Sequence, residues 1–409
     1  MSAAQHEGSP VHRGVVSPRL KTGVFAIAGA NSLATTYFFY YIYFYTSDAF
    51  RFGQLQNFEL AALLGLVYAV FASYAGRFAQ RAGYFACFRL GAVIMAAAFL
   101  LCSRMTVVWP ALACMAVASF GMCFTWPALE GLMSEGESRE RLGGLVGIYN
   151  STWAVTSAFG YFTGGAMQKA LGRQSMFFVP AALIGLEVVF SYWLEREVNR
   201  QPPAARAEAS PPVAPSVEAR RSPIPAHIFL KMGWLANPLA YLALNTIIAT
   251  IPTLAGELHL SVTLAGVVCS TWLFSRAGAF VLLWLWPGWH YRFRFLSAAF
   301  GVMIVSFGAM LLARGLWVLV ISQAVLGVAF GLIYYSSLFY SMDVGETKGE
   351  HGGIHEAAIG AGNCAGPGIA AGALLLFPGH PSSGTLAVCL LLLCGWGALF
   401  WLRYKKSGA

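Results

Sequence analysis

The chain has 409 residues, of which 58% are hydrophobic and only 11% are charged, and its net charge is +9. Soluble domains carry about 25% charged residues, and a soluble fold of this size needs more charge outside to bury so much apolar surface. The composition therefore excludes an ordinary soluble domain and indicates an integral membrane protein. It also argues against a nucleic-acid-binding protein, because the basic residues lie in short connectors between apolar segments.

Apolar segments of membrane-crossing length occur throughout the chain. A helix of about 20 apolar residues crosses a hydrocarbon core of roughly 30 Å, and it satisfies its own backbone polar groups there. The sequence does not show the shorter segments of alternating polarity that are typical of a transmembrane barrel. We therefore predict an all-α integral membrane protein with twelve transmembrane helices. The predicted spans are 22–45, 58–78, 86–103, 107–133, 143–167, 174–194, 228–254, 262–286, 293–313, 316–341, 353–376 and 384–402.

A proline-rich segment separates the sixth predicted span from the seventh. It holds seven prolines between Gln201 and Pro225 and almost no large apolar residues, a composition typical of a loosely extended linker. The spans are therefore expected to form two sets of six. The predicted parts are a tail over 1–20, a six-helix bundle over 21–194, a linker over 195–227, a second six-helix bundle over 228–403 and a tail over 404–409.

The lysine and arginine residues of the loops predict the orientation of the chain. With both termini inside, twenty of them fall in inner segments and five in outer loops, in agreement with the positive-inside rule. We therefore expect both termini and the linker in the cytoplasm and the spans in the inner (plasma) membrane. The first 20 residues lack an apolar core, so the first span is expected to direct insertion in place of a cleavable signal peptide.

A short polar phrase occurs twice in the sequence. It reads GESRERLGGL at 136–145 and GETKGEHGGI at 345–354, 209 residues later. One copy lies in the inner loop between spans four and five, and the other lies between spans ten and eleven. The same spacing of about half the chain separates Lys21 of KTG from Lys231 of KMG, which open spans one and seven. The halves are therefore predicted to be two parallel copies of a six-helix unit.

Twelve spans, a polar central linker and a parallel repeat of six resemble the major facilitator superfamily over essentially the whole chain. The stretch GRFAQRAG is similar to that family's Gly-x-x-x-Asp-Arg-x-Gly loop pattern, with matches at Gly76, Arg81 and Gly83. Gln80 stands where the family has Asp. In the family this acid belongs to a charge network that holds the inner face closed. Because Gln can form hydrogen bonds but carries no charge, we expect that network to be rearranged here.

The resemblance implies that spans one, four, seven and ten line a central cavity in which a substrate binds near the midplane. In span one, Asn31 and Thr35 share a helical face, and in span seven Asn237, Tyr241 and Asn245 are spaced to project together. These side chains are candidates for substrate contact. The alternative is that they form hydrogen bonds between helices. Further candidates in spans five and ten are Asn150, Trp153, Gln323 and Tyr334.

Charged residues inside the predicted spans are the strongest functional candidates, because an ionisable group at membrane depth is costly unless it is paired or hydrated. Glu130 lies near the end of span four, Arg276 lies midway along span eight, and His355 and Glu356 open span eleven. Burial favours the neutral form of a carboxyl group in general, as a proton-coupling site requires. Glu130 and Arg276 could pair with each other, bind opposite ends of a zwitterionic or anionic solute, or form a fixed inner-gate contact.

Span eleven carries a stripe of Glu356, Gly360 and Asn363, and small residues at this spacing allow close helix packing. The adjacent His355 and Glu356 suggest a gate or proton relay. They do not form a zincin motif, because a second histidine four residues later is lacking. The eight cysteines all lie in apolar segments without metal-ligand spacing. We therefore expect neither a metal site nor a cofactor.

The doubled phrase is interpreted as a pair of inner gate loops whose charged side chains face each other across the pseudo-symmetry axis. Each exposed pair would contribute at most about 1 kcal/mol. The alternative is a pair of solvated loops that only satisfy the positive-inside bias. Together with the loop between spans two and three, the inner-gate candidates are Gly76, Gln80, Arg81, Gly83, Arg139, Arg141, Lys348 and Glu350.

These features predict a secondary transporter that moves a small organic solute by alternating access and is coupled to protons. No phosphate-binding loop is present in the sequence, so ATP is not the expected energy source. The alternatives are a facilitative uniporter, or a non-transporting sensor or assembly partner on the same scaffold. The expected partners are a small-molecule substrate, protons and the lipid bilayer. Nucleic acid is not an expected partner, the chain is expected to act as a monomer, and no enzymatic activity is expected.

Overall fold

The computed structural model describes residues 18–135, 137, 139–200, 222–312, 314–344 and 348–404, apart from the side chains at 18, 139–142, 342 and 348–354. All regular secondary structure in these residues is helical, as the apolar segments predict. The predicted tails and linker lie largely outside the described residues.

The first half of the chain forms six long helices, and each of them corresponds to one predicted span. Their N-terminal and C-terminal ends alternate between two faces of the molecule, because short connections join antiparallel neighbours. We number them α1 (Pro18–Ala49), α2 (Gln54–Ala82), α3 (Tyr84–Cys102), α4 (Val108–Ser134), α5 (Arg139–Leu171) and α6 (Ser175–Asn199).

The second half repeats this arrangement with one interruption. The predicted eighth span is assigned as two helices that meet at Ser270, although the backbone of Ser270 stays helical (φ −77°, ψ −11°). A 3-10 turn over Pro287–Trp289 follows it. When the two pieces are counted together, the described helices make up the twelve predicted spans. The second-half helices are α7 (Ala226–Glu257), α8 (Val262–Cys269), α9 (Thr271–Leu285), α10 (Phe293–Leu311), α11 (Leu316–Val344), α12 (Lys348–Leu376) and α13 (Ser383–Tyr404).

Ten of the spans are long and apolar enough to cross a membrane, with α8 and α9 counted as one. The other two, α1 and α5, are 32 and 33 residues long but richer in tyrosine, threonine, asparagine and glycine. These two helices pack against each other, and α5 also contacts α8 and α9 of the second half. Large apolar side chains such as Val305 and Leu390 are 72% and 64% exposed on the outer surface. An apolar surface of this extent is typical of lipid contact, and the chain is a multi-pass membrane protein.

The two bundles meet along two pairs of helices. A Cβ atom at Gly65 of α2 would clash with the backbone of Asn363 in α12, and one at Gly360 of α12 would clash with the backbone of Ala69 in α2. Glycine at these positions therefore lets the two backbones touch. In the second pair, Thr263 Oγ1 of α8 donates to the Gly165 carbonyl of α5 at 3.2 Å. These contacts enclose a space between the bundles.

Candidate functional site

A cavity of about 170 Å³ lies between the two bundles. Its walls come from α1, α2, α4 and α5 of the first half and from α7, α9, α11 and α12 of the second half. Spans one, four, seven and ten all contribute, as the family resemblance implies. Spans two, five, eight and eleven contribute as well, so the lining is more evenly shared than we expected.

Two carboxyl groups from opposite bundles meet at one end of the cavity. Glu130 lies in the last turn but one of α4 and is 7% exposed. Glu356 lies near the start of α12 and is 6% exposed. One carboxyl oxygen of each residue lies within 4.8 Å of the other, and the Tyr68 hydroxyl of α2 donates to Glu356 Oε2. Two ionised carboxylates at this distance repel each other, and burial also disfavours their charged forms. The arrangement therefore favours retention of a proton by the pair.

His355 lies beside this pair but does not line the cavity. Its side chain is 3% exposed, and its ring packs edge-on against Tyr334 with the ring centroids 5.6 Å apart. Its Nε2 atom has no hydrogen-bond partner among the described residues. One ligand atom of each of His355, Glu130 and Glu356 lies within 4.8 Å of the others. Such a set could hold a cation when both carboxyl groups are ionised.

Arg276 of α9 places a positive charge in the cavity wall. It is 3% exposed, and its guanidinium carbon lies 4.7 Å from the ring centroid of Trp153 and 4.9 Å from that of Tyr334. Nη2 donates to the Tyr241 hydroxyl at 3.2 Å, whereas Nε has no partner in the part of the chain that the structure describes. Within that part no carboxylate pairs with Arg276, although the sequence suggested a pair with Glu130. The cavity thus contains a buried guanidinium whose donors are only partly used.

A polar contact between the bundle helices α7 and α12 forms another part of the wall. The Asn245 amide donates to Asn363 Oδ1, and both residues line the cavity. On the opposite wall, the Thr35 hydroxyl donates to the backbone carbonyl of Asn31 at 2.7 Å. Asn245 and Asn363 therefore act within one bundle as interhelical hydrogen-bond partners while they also face the cavity.

Nine of the predicted site residues line the cavity, and five do not. Asn31 instead donates to Glu187 Oε2 of α6 at 3.0 Å, and Asn150 accepts a hydrogen bond from Trp153 Nε1 at 3.0 Å. The nine that line it are Thr35, Glu130, Trp153, Tyr241, Asn245, Arg276, Tyr334, Glu356 and Asn363. Those outside the lining are Asn31, Asn150, Asn237, Gln323 and His355.

Asn237 does not project with the other two polar residues of its helix. Tyr241 and Asn245 line the cavity, but Asn237 is enclosed, with both side-chain amide atoms unpartnered among the described residues. In a helix with 3.6 residues per turn, side chains eight positions apart point in directions that differ by about 80°. The expectation that all three project together neglected this rotation. Gln323 of α11 is likewise enclosed, with both amide atoms unpartnered in the described part.

The inner-gate candidates fall into two groups. Gln80 and Arg81 are exposed at the end of α2, where Gly83 adopts a φ of 91° that favours glycine. Gly76 is buried one turn earlier. The side chains of the second group lie outside the described residues, so their gate role stays a prediction. This second group is Arg139, Arg141, Lys348 and Glu350.

Lys21 has a role that the sequence did not indicate. Its Nζ atom donates to the backbone carbonyls of Met133 at 2.6 Å and Leu132 at 3.0 Å, and it lies 3.6 Å from Glu137 Oε1. A lysine at this position satisfies the unpaired carbonyls at the end of α4 and interacts favourably with the helix dipole. Glu137 thus has a partner within its own bundle. Its expected contact with the second copy of the doubled phrase stays a prediction, because the side chains of that copy lie outside the described residues.

Tyr68 lines the cavity and donates to Glu356, but sequence reasoning missed it. It is 2% exposed and sits in the apolar stretch GLVYAVF of span two. The only available signal was a hydroxyl group in the middle of a predicted span. That signal was weak, because the sequence alone does not show that α2 and α12 touch.

Comparisons with known proteins agree with this architecture. A family model described as the Major Facilitator Superfamily matches residues 23–367. The nucleoside transporter NupG superposes with a TM-score of 0.65 at 14% identity, covering 93% of this chain and 99% of its own. The human organic anion transporter MFSD10 superposes with a TM-score of 0.63 at 13% identity, covering 97% of this chain and 100% of its own. At these identities the likeness shows the fold alone, and no curated protein sequence matches the chain.

Proposed function

The chain belongs to the Major Facilitator Superfamily, and from this premise we propose that it moves a small organic solute across a cell's inner membrane together with protons. Its family and its architecture make it a membrane transporter. The cavity between the bundles would hold the solute, and rocking of the bundles would expose that cavity to each side in turn. A nucleoside transporter and an organic anion transporter share its fold.

The contact between Glu130 and Glu356 is the observation that carries the proton coupling. Each carboxyl group belongs to a different bundle, so the contact must break when the bundles separate. Two negative charges within 4.8 Å would repel by about 3 kcal/mol at an effective dielectric constant of about 20. The bundles can therefore close at this point only when the pair carries a proton. Closure that depends on a bound proton couples proton movement to alternating access.

The hydrogen bond from Tyr68 to Glu356 supports placing the proton on Glu130. Glu356 already accepts from Tyr68, so a second hydrogen bond to Glu356 suits a donor on the other side. Protonated Glu130 provides that donor. In this arrangement Glu356 is the carboxylate, Glu130 is the acid, and Tyr68 orients the acceptor.

The orientation and assembly belong to the same proposal. Twenty inner lysines and arginines against five outer ones support cytoplasmic termini, with the proline-rich linker also in the cytoplasm. We propose a monomer in which 21–194 and 228–403 form the two bundles. Tags on each terminus that are reachable only after the cells are opened would agree with this placement.

Gradient-driven uptake into proteoliposomes tests the proposed function. A solute identified by thermal stabilisation of the purified chain, which reports binding to the folded state, is supplied outside the vesicles. We expect an inwardly directed pH gradient to raise its accumulation. Uptake that ignores the imposed gradient would identify a uniporter, and a tight binder without any flux would identify a sensor. Stimulation by a divalent cation in place of protons would assign the carboxyl pair to metal binding.

A further inference from the structure

We propose that the substrate is a small, flat organic monoanion, namely a single-ring carboxylate whose carboxylate group binds Arg276. This inference rests on the proposed transport function, because it names the substrate class of the same cavity. The carboxylate lies against the guanidinium, and the ring lies between the aromatic side chains that surround it.

The unpaired charge of Arg276 is the first observation. A guanidinium has five N–H donors, and among the described residues its only side-chain acceptor is the Tyr241 hydroxyl. A buried charge without a partner is strongly disfavoured. The two carboxyl groups that line the same cavity do not provide one, because neither forms an ion pair with Arg276 in the described part of the chain, and Glu356 accepts a hydrogen bond from Tyr68. A carboxylate brought by the substrate would complete the site, since its two oxygens match the fork of an arginine.

The aromatic walls are the second observation. Trp153, Tyr241 and Tyr334 line the cavity next to the guanidinium, as do Tyr40 and Trp126 further along it. Aromatic side chains favour offset or edge contacts with another ring. The cavity of about 170 Å³ is close in size to a cavity of about 150 Å³ that accommodates benzene. This volume therefore suits a single ring with a short acidic group.

The charges in the cavity exclude the other solute classes. An amino acid would need a free carboxylate for its ammonium group. Among the described residues, the carboxyl groups that line the cavity are Glu130 and Glu356, which lie beside each other, and Glu356 accepts a hydrogen bond from Tyr68. A cation would be repelled by Arg276. A phosphate ester carries close to two negative charges at neutral pH, and a single guanidinium neutralises only one of them. Transport of a monoanion with one proton would move no net charge.

Isothermal titration of the full-length chain in nanodiscs tests this inference with benzoate as the probe. Benzamide has the same shape without the charge, cyclohexanecarboxylate has the charge without the flat ring, and phenyl phosphate has the ring with a larger charge. We expect benzoate to bind at least about tenfold more tightly than benzamide, since a hydrogen bond to a charged group exceeds one to a neutral group by this order. Cyclohexanecarboxylate and phenyl phosphate should both bind more weakly than benzoate.

Two substitutions at the arginine complete the test. Arg276→Gln should weaken benzoate binding at least about tenfold and leave benzamide binding unchanged, while Arg276→Lys should retain part of the affinity. Arg104→Gln, at an exposed arginine in the loop before α4, serves as the matched control and should bind like the wild type. If Arg276→Gln does not fold, the affinities of the wild type for benzoate and benzamide still show whether the carboxylate charge contributes to binding.

Three results would overturn the inference. They are equal affinity for benzoate and benzamide, undiminished benzoate binding by a folded Arg276→Gln variant, and no binding of any ring carboxylate by the folded wild type. Proton-driven uptake of a neutral solute would contradict the proposed anionic substrate but agree with proton-coupled transport. Benzoate binding combined with transport that does not respond to the pH gradient would contradict proton coupling but agree with an anionic substrate.

Discussion

The guanidinium carbon of Arg276 lies 4.7 Å from the ring centroid of Trp153, and the two residues belong to different bundles. Asn150 holds the indole in place, because Trp153 Nε1 donates to its side-chain oxygen. The cation–π contact can therefore form only while α5 and α9 are together. Arg276 is also the residue that we propose binds the substrate carboxylate. The same side chain is therefore involved in substrate binding and in closure of the cavity.

Trp153→Leu should weaken ligand binding without preventing folding. An aromatic face over a cation contributes about 1 kcal/mol, which corresponds to about a fivefold rise in the Kd of a bound acid. Isothermal titration of the variant in nanodiscs measures the change. Trp193→Leu, at a tryptophan that is 55% exposed on the outer surface, is the control. Equal affinities in the two variants would place Trp153 outside the binding site.

Glu130→Gln should abolish proton-driven accumulation and spare exchange of solute across the membrane. The glutamine amide can still donate to Glu356, so the bundles can close, but the position can no longer release a proton. Uptake with an imposed pH gradient and counterflow without one separate the two processes. Glu59→Gln, at an exposed glutamate of α2, should behave like the wild type. Accumulation by the Glu130→Gln variant would remove this residue from the coupling mechanism.

Exchange by the wild type should fall as the pH rises. At higher pH the pair between Glu130 and Glu356 loses its proton, and the two negative charges then oppose closure of the bundles. At lower pH the pair is protonated and closure is favoured. The Glu130→Gln variant retains only one carboxyl group of the pair, so its exchange rate should depend little on pH. Parallel pH profiles for wild type and variant would show that another group controls the exchange.

Much of the fold follows from the sequence, because hydropathy and the proline-rich segment mark the elements directly. The twelve predicted spans are found as helices, since an apolar segment of this length has few other structures in lipid. The break at Ser270 was not predicted. A local change in hydrogen bonding at one residue whose backbone stays helical does not change the average hydropathy of its span.

The site was less predictable, because it depends on which helix faces meet. Rare charges inside apolar segments drew attention to Glu130, Arg276 and Glu356, and all three line the cavity. Their partners could not be inferred, since Glu130 meets Glu356 across the bundle interface and not Arg276. Apart from the spacing of small residues, no feature of the sequence indicates which helices form that interface. Tyr68 was missed for the same reason.

The close packing of α2 on α12 provides a last test, because it brings Tyr68 to Glu356. A methyl group at Gly360 would collide with the backbone of Ala69, and overpacking of this kind costs about 1–3 kcal/mol. Gly360→Ala should therefore lower the melting temperature and slow exchange, since the bundles could not close fully at the carboxyl pair.

Gly372→Ala is the matched control, because it lies on the same helix with no atom within 4 Å of the added methyl group. Melting curves in detergent and counterflow rates in proteoliposomes measure both variants. A loss of stability without a change in exchange would mean that this interface is static, in which case the two bundles would move apart elsewhere. Equal behaviour of the two variants would show that the helices can separate at Gly360 without consequence, which contradicts the closure that the Glu130–Glu356 contact requires.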